Sequence, residues 1–126
     1  MLTLICGLPR AGKTTYSEQF DGVIHLDTSG AYQGVLRRIK RRTGDVVVEG
    51  VYRLQRERIS LIQAYETDRY RCIWMDTPDE VRRSRHGWDK HCDKPFEPPT
   101  FDEGWDEILI VREGDNVECY RNETKA

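Results

Sequence analysis

Apolar residues occur in short runs separated by longer amphipathic stretches. Leu2 to Cys6, Val23 to Leu26, Val46 to Val48, Arg71 to Met75 and Ile108 to Val111 read as strands, and a short piece around Val117 to Tyr120 follows the last of them. Helical patterns lie between, from Lys13, from about Ala31, from Leu54 to Tyr65, and from Thr77-Pro78-Asp79-Glu80. Thr77 at the N-cap, Pro78 at the first helical position and Glu80 at the third form a strong start signal. Strands alternating with helices predict an α/β fold, a parallel β-sheet of about five strands flanked by helices. The rhythm stops between His86 and Pro99, where Gly, Trp, Lys, Asp and three prolines predict a loop or lid after the fourth strand-helix unit, at about 82–97.

Directly after the first apolar run stands Gly7-Leu8-Pro9-Arg10-Ala11-Gly12-Lys13-Thr14-Thr15, which matches G-x-x-x-x-G-K-[ST] at every fixed position. It reads as a phosphate-binding loop. Its glycines let backbone N–H groups turn inward around phosphates, and the following helix N-terminus favours anions. Gly7, Pro9, Arg10, Ala11, Gly12, Lys13, Thr14 and Thr15 are therefore the expected nucleotide-binding residues. Lys13, expected to be exposed in the loop, supplies charge to the β- and γ-phosphates, and the Thr14 hydroxyl ligates magnesium.

A length of 126 residues predicts one domain, 1–126, and leaves no room for a large regulatory module. With 37% apolar residues, 33% charged residues and a net charge of −2, the chain is not basic enough to coat nucleic acid nonspecifically. An acidic substrate must be drawn by a local patch. The four cysteines form no C-x-x-C pair, and Cys6 and Cys72 fall inside strands, which predicts reduced thiols in a cytoplasmic protein. Neither a signal segment nor a membrane span is expected.

In an open parallel sheet ligands bind beyond the carboxyl ends of the strands. Asp27 after the second strand, Glu49 after the third and Asp76 after the fourth are the acids placed to take the proton of an attacking hydroxyl. Asp27 or Glu49 is also placed to hold magnesium, and Glu49 to meet the substrate. Arg82, Arg83 and Arg85 end the fourth helix where the lid begins, and there a lid arginine closes on the γ-phosphoryl. A second cluster, Arg37, Arg38, Lys40, Arg41 and Arg42, follows Asp27 on the next helix and marks a path for an acidic substrate. Trp88, Phe96, Phe101 and Trp105 are expected mostly to pack the lid onto the core, with Trp88 the candidate to stack on a base. His86, His91, Cys92 and Asp93 lack the paired short spacings of a zinc site, and no zinc is expected. Asp27-Thr28-Ser29-Gly30 fits the D-x-x-G of a GTP-binding switch, but the Asn-Lys-x-Asp that selects guanine is missing from the sequence.

These residues resemble the P-loop polynucleotide kinases of phages and of nucleic-acid repair. The phosphate loop, Asp27, the Asp76-Thr77-Pro78 to Arg85 segment and the stretch Phe96-Glu97-Pro98-Pro99-Thr100-Phe101-Asp102-Glu103-Gly104-Trp105 carry the resemblance. It implies a single-domain P-loop kinase fold with ATP and Mg²⁺ bound at Lys13 and Thr14. Asp27 is then the general base and Arg83 or Arg85 the lid arginine. Such kinases usually carry an arginine three residues after the base, where this chain has Gly30. The implied activity is transfer of the ATP γ-phosphate to a nucleic-acid hydroxyl, most simply a 5′-hydroxyl. A hydroxymethylated base in DNA, a nucleotide and a small hydroxyl compound are the alternative acceptors. Nucleic acid or a nucleotide is the expected partner, with no membrane and no stable protein partner.

Overall fold

Six strands form the sheet: β1 (Leu2–Cys6), β2 (Ile24–His25), β3 (Val46–Gly50), β4 (Tyr70–Met75), β5 (Glu107–Val111) and β6 (Val117–Arg121). Four helices connect or follow them: α1 (Lys13–Ser17), α2 (Tyr32–Ile39), α3 (Gln55–Ala64) and α4 (Asp79–Ser84). These assignments come from a computed structural model that describes residues 1–26, 31–113 and 116–124. Asp27 and Gly30 lie outside the described residues, as do Thr28 and Ser29. The strand order is β2-β3-β1-β4-β5-β6. All five residues of β1 are buried, because a central parallel strand is covered on both faces and has no polar side to alternate with.

The first five strands are parallel, as the alternation of strands and helices predicts. The expected count of about five omits β6, which turns back from β5 in a hairpin and pairs antiparallel to it. Its five residues are all exposed, so it contributes no buried face to the core. β2 keeps only Ile24 and His25 of the expected Val23 to Leu26. One N-cap moves: α4 begins at Asp79 with Pro78 in the capping position. The Thr77 hydroxyl donates instead to the Ala11 carbonyl at 2.6 Å, which ties the start of α4 to the glycine loop.

The two faces of the sheet are unequal. One buries fourteen residues, among them Leu2, Leu4 and Val48 against Val35 and Ile39 of α2 and Leu61 of α3. The other buries five, Ile5, Ala11, Ile73, Met75 and Val111. At about 1.5–3 kcal/mol for each large aliphatic side chain, the first face supplies most of the stability. The second is covered only in part by the five-residue α1, and an open cleft remains there. Segment 96–105 is fastened to the first face by a buried ion pair. Arg58 Nε and Nη2 donate to the two Glu103 carboxylate oxygens at 2.7 and 3.0 Å, with both side chains essentially inaccessible. Phe96 then stacks on Trp74, ring centroids 5.5 Å apart. Trp105 is fully buried and donates to Glu103.

Candidate functional site

The loop from Gly7 to Thr15 leaves the buried end of β1 and turns into α1. At Gly7 a Cβ would come within 2.8 Å of the Met75 carbonyl oxygen, so only glycine lets the loop pass β4. Gly12, with φ 98°, occupies the left-handed region at the N-cap of α1 and exposes the backbone N–H groups that follow. Lys13 is the first residue of α1 and, contrary to its expected exposure, it is buried, with 8% of its surface accessible. Its Nζ donates to the Leu8 carbonyl at 2.9 Å. Burial lowers its pKa from 10.5 to about 8, against the opposing pull of the nearby Glu49. Thr14 and Thr15 are exposed on the same turn.

A cleft of about 600 Å³ opens beside this loop. Arg10 to Tyr16 form one wall, Met75, Thr77 and Val81 the floor, and Arg85, His86 and residues 111–113 with Val117 the remainder. The volume is that of a site for a mid-sized organic ligand. Among the described lining residues, four cations (Arg10, Lys13, Arg85, Arg112) face one carboxylate, Glu113. Arg112 is neutralised by Asp76, 3.6 Å away, and by Glu118. Arg10 and Arg85 are bonded to backbone oxygens, of Gly87 at 3.4 Å and of Arg10 itself at 2.6 Å. Neither has a carboxylate partner among the described residues. The cleft thus holds uncompensated positive charge at the loop end, the condition for binding an anion.

The structure brings Arg10, Ala11, Gly12, Lys13, Thr14, Thr15 and Arg85 together on this cleft. Arg83 points elsewhere: its Nε and Nη2 hold Asp93 at 3.0 and 2.9 Å, and its guanidinium lies over the Trp88 ring. Trp88 donates to Asp93 as well and does not line the cleft. Glu49 is not at the end of β3; it lies one residue inside and is buried, with its carboxylate 2.8 Å from His25 Nδ1. Arg37 and Arg38 occupy the last turn of α2, away from the loop. A helix that follows a parallel strand runs back toward the start of the strands. Arg42, bonded to the Gly22 carbonyl just before β2, shows that α2 does so. Asp27, the expected end of β2, lies outside the described residues.

Two residues take roles not expected from the sequence: Arg82, read there as one of the lid arginines, and His25. Arg82 is buried and joins Asp79 and Asp93, both at 2.7 Å, to the Pro9 carbonyl at 3.2 Å. It staples α4 and the 90–93 turn to the glycine loop, and it holds the Asp93 carboxyl below its usual range. Asp79 three residues earlier was a readable signal for it. His25 gave no signal, because its partner is set by the β2–β3 register.

These placements separate two arginines that are near-equivalent in sequence. Arg85→Ala should weaken binding of tripolyphosphate about 10-fold or more, the worth of one charge-assisted hydrogen bond, whereas Arg83→Ala should leave it within about twofold. Calorimetric titration of both variants checks this, and equal losses would show that the 82–97 segment acts only through its overall charge. No family model matches the chain, and no curated protein matches it.

Proposed function

We propose that the chain is an ATP- and Mg²⁺-dependent phosphotransferase that moves the γ-phosphoryl group to a hydroxyl of a nucleic acid, most simply a polynucleotide 5′-hydroxyl. The observation that carries this reading is the Gly7–Thr15 loop, which delivers Lys13 and Thr14 to a cation-lined cleft large enough for a nucleotide. Backbone N–H groups at the start of α1, Lys13 and Arg85 hold the phosphates, and Arg10 adds charge at the mouth. Little covalent chemistry is asked of the protein in such a reaction, so positioning and charge neutralisation account for most of the catalysis.

The Thr14 hydroxyl is exposed beside the cleft and fits magnesium. Among the described residues there is no group of three or more His, Cys, Asp or Glu side chains to hold a metal. A single hydroxyl donor such as that of Thr14 suits an ion that takes one or two protein ligands and completes its shell with water and substrate phosphates. Thr14 would hold the magnesium, which would supply charge neutralisation at the phosphates. Asp27, two residues past His25, is the base in this reading and accepts the hydroxyl proton. The polynucleotide acceptor rests on the sequence resemblance. One observation favours a small hydroxyl compound as second reading: Arg37 and Arg38 stand away from the loop and cannot grip the reacting end itself. Among the described residues no helix is long and apolar enough to cross a membrane.

Labelled ATP offered with a 5′-hydroxyl oligonucleotide, its 5′-phosphorylated twin, hydroxymethylated DNA and free nucleosides tests the proposal. Label on the 5′-hydroxyl strand alone, lost in EDTA, is expected. Transfer only to nucleosides moves the function to the second reading, and absence of transfer to any acceptor overturns the kinase reading.

A further inference from the structure

Five of the six residues from Arg37 to Arg42 are cationic: Arg37, Arg38, Lys40, Arg41 and Arg42. All five are exposed, whereas Ile39 between them is buried in the core. The chain as a whole carries a net charge of −2, so this is a local concentration of charge, not a general trend. Among the described residues none of the five has an ion-pair partner. Among the described residues Arg42 alone of the five makes a side-chain hydrogen bond, to the Gly22 carbonyl.

Favourable capping of a helix C-terminus does not account for the cluster. One or two cations in the last turn satisfy the helix dipole, and its influence fades within that turn. Here Arg41 and Arg42 continue the coil past Ile39, their N–H groups bonded to the Arg38 and Ile39 carbonyls. These bonds span three residues, which tightens the turn and brings Arg38 and Arg41 to one side, and like charges so close on a helical turn destabilise. The protein tolerates repulsion that nothing in the described fold offsets. An external polyanion would offset it.

Position decides which polyanion. The cluster lies at the end of the sheet where β2 and β3 begin, and the glycine loop lies at the end where β1 and β3 stop. Five strand residues separate the two ends, roughly 15 Å at the rise of an extended chain. No nucleotide or small acceptor touches both. A nucleic-acid strand with about five or six phosphates does, at one phosphate per about 3.4 Å of stacked strand. We propose that the exposed arginines at the end of α2 form a second nucleic-acid contact, which grips the phosphate backbone of a polynucleotide acceptor several nucleotides from its reacting end.

This inference rests on the polynucleotide kinase reading, and direct binding separates the two. Fluorescent single strands of 4, 8 and 16 nucleotides carrying a 5′-phosphate, which leaves no 5′-hydroxyl to react, are titrated into wild type and Arg37→Gln/Arg38→Gln/Arg41→Gln at several salt concentrations. Wild type should bind the 16-mer at least about 10-fold more tightly than the 4-mer. The triple variant should lose that gain, and its log-log salt slope should flatten by about 2, near 0.7 for each lost contact to a single strand. Unchanged tripolyphosphate binding by the variant shows that its cleft is intact. Length-independent binding by wild type overturns the inference without recourse to any variant, as does a 16-mer affinity or salt slope that the substitutions leave unchanged. Anionic phosphatidylserine vesicles that bind through these arginines while the 16-mer does not would also overturn it. If the length effect is found but no acceptor is phosphorylated, the anchor stands and the kinase reading fails. If transfer occurs with one KM for all lengths, the reverse holds.

Discussion

Lys13→Met should abolish phosphoryl transfer and at the same time raise the melting temperature. Removing one preorganised cation from a developing phosphoryl charge costs about 10²–10³-fold or more in turnover. The gain in stability has a separate origin. Lys13 is buried and its pKa is lowered from 10.5 to about 8, chiefly by that burial. Below pH 8 both the folded and the unfolded chain carry the ammonium, and the folded one bears the cost of keeping it out of water. Between pH 8 and 10.5 the unfolded chain binds the proton and the folded chain does not, so stability rises with pH across that window. At pH 7 the net cost is on the order of 3 kcal/mol, at 1.36 kcal/mol per unit of pKa, with the attraction to Glu49 already included. Methionine keeps the stem and discards the charge. Thermal melts of both proteins from pH 6 to 10 should show the variant more stable at pH 7 and the gap closing as pH rises. A variant that melts lower at pH 7 would mean that the Nζ bond to Leu8 outweighs desolvation.

Phosphate chemistry explains why such a costly lysine suits the site. An anion in the cleft favours the ammonium and draws its proton back. Nucleotide binding should therefore take up a proton near pH 8, and affinity should fall as pH climbs past that value. Calorimetric binding heats in two buffers of different ionisation enthalpy report the uptake directly. Heats that do not depend on the buffer would show that Lys13 remains fully charged without ligand.

How much of this was legible in the sequence depends on the range of the interaction. The strand-helix alternation and the glycine loop are local signals, and β1, β3, β4 and the loop-to-α1 turn fall where the pattern puts them. The burial of Lys13 was not legible, because it depends on β3 and its Glu49 passing beside α1. Arg83 and Arg85 read as equivalent until α4 fixes their directions, one onto Asp93 and one onto the loop. Thr77 had the composition of an N-cap, but a carbonyl 66 positions away in sequence claimed its hydroxyl. The basic run after Asp27 was plain, whereas its distance from the loop follows from the direction in which a helix must return from a parallel strand.

Segment 96–105 shows the same limit on a larger scale and yields the largest expected loss of stability. Its residues carry much of the sequence resemblance, yet the structure gives Glu103 a scaffolding task. The Glu103 carboxylate accepts from Arg58, from the Trp105 indole at 3.0 Å and from the Thr100 N–H at 2.9 Å. Arg58 in turn donates to the carbonyls of Tyr52 and Glu97, at 2.8 and 2.7 Å. One ion pair therefore ties α3, the chain after β3 and the approach to β5. Glu103→Ala leaves a guanidinium buried without its counter-charge, which costs about 3–5 kcal/mol, a large share of the 5–15 kcal/mol typical of a whole domain. Arg58→Met should cost a similar amount by stranding the carboxylate. The double variant Arg58→Met/Glu103→Leu should recover part of the loss, since no unpaired charge remains and the volume is roughly kept. Urea unfolding of the three proteins decides between this and a purely local contact. Losses that simply add in the double variant would show that the two side chains act independently, and that segment 96–105 is held by the stacking of Phe96 on Trp74 instead.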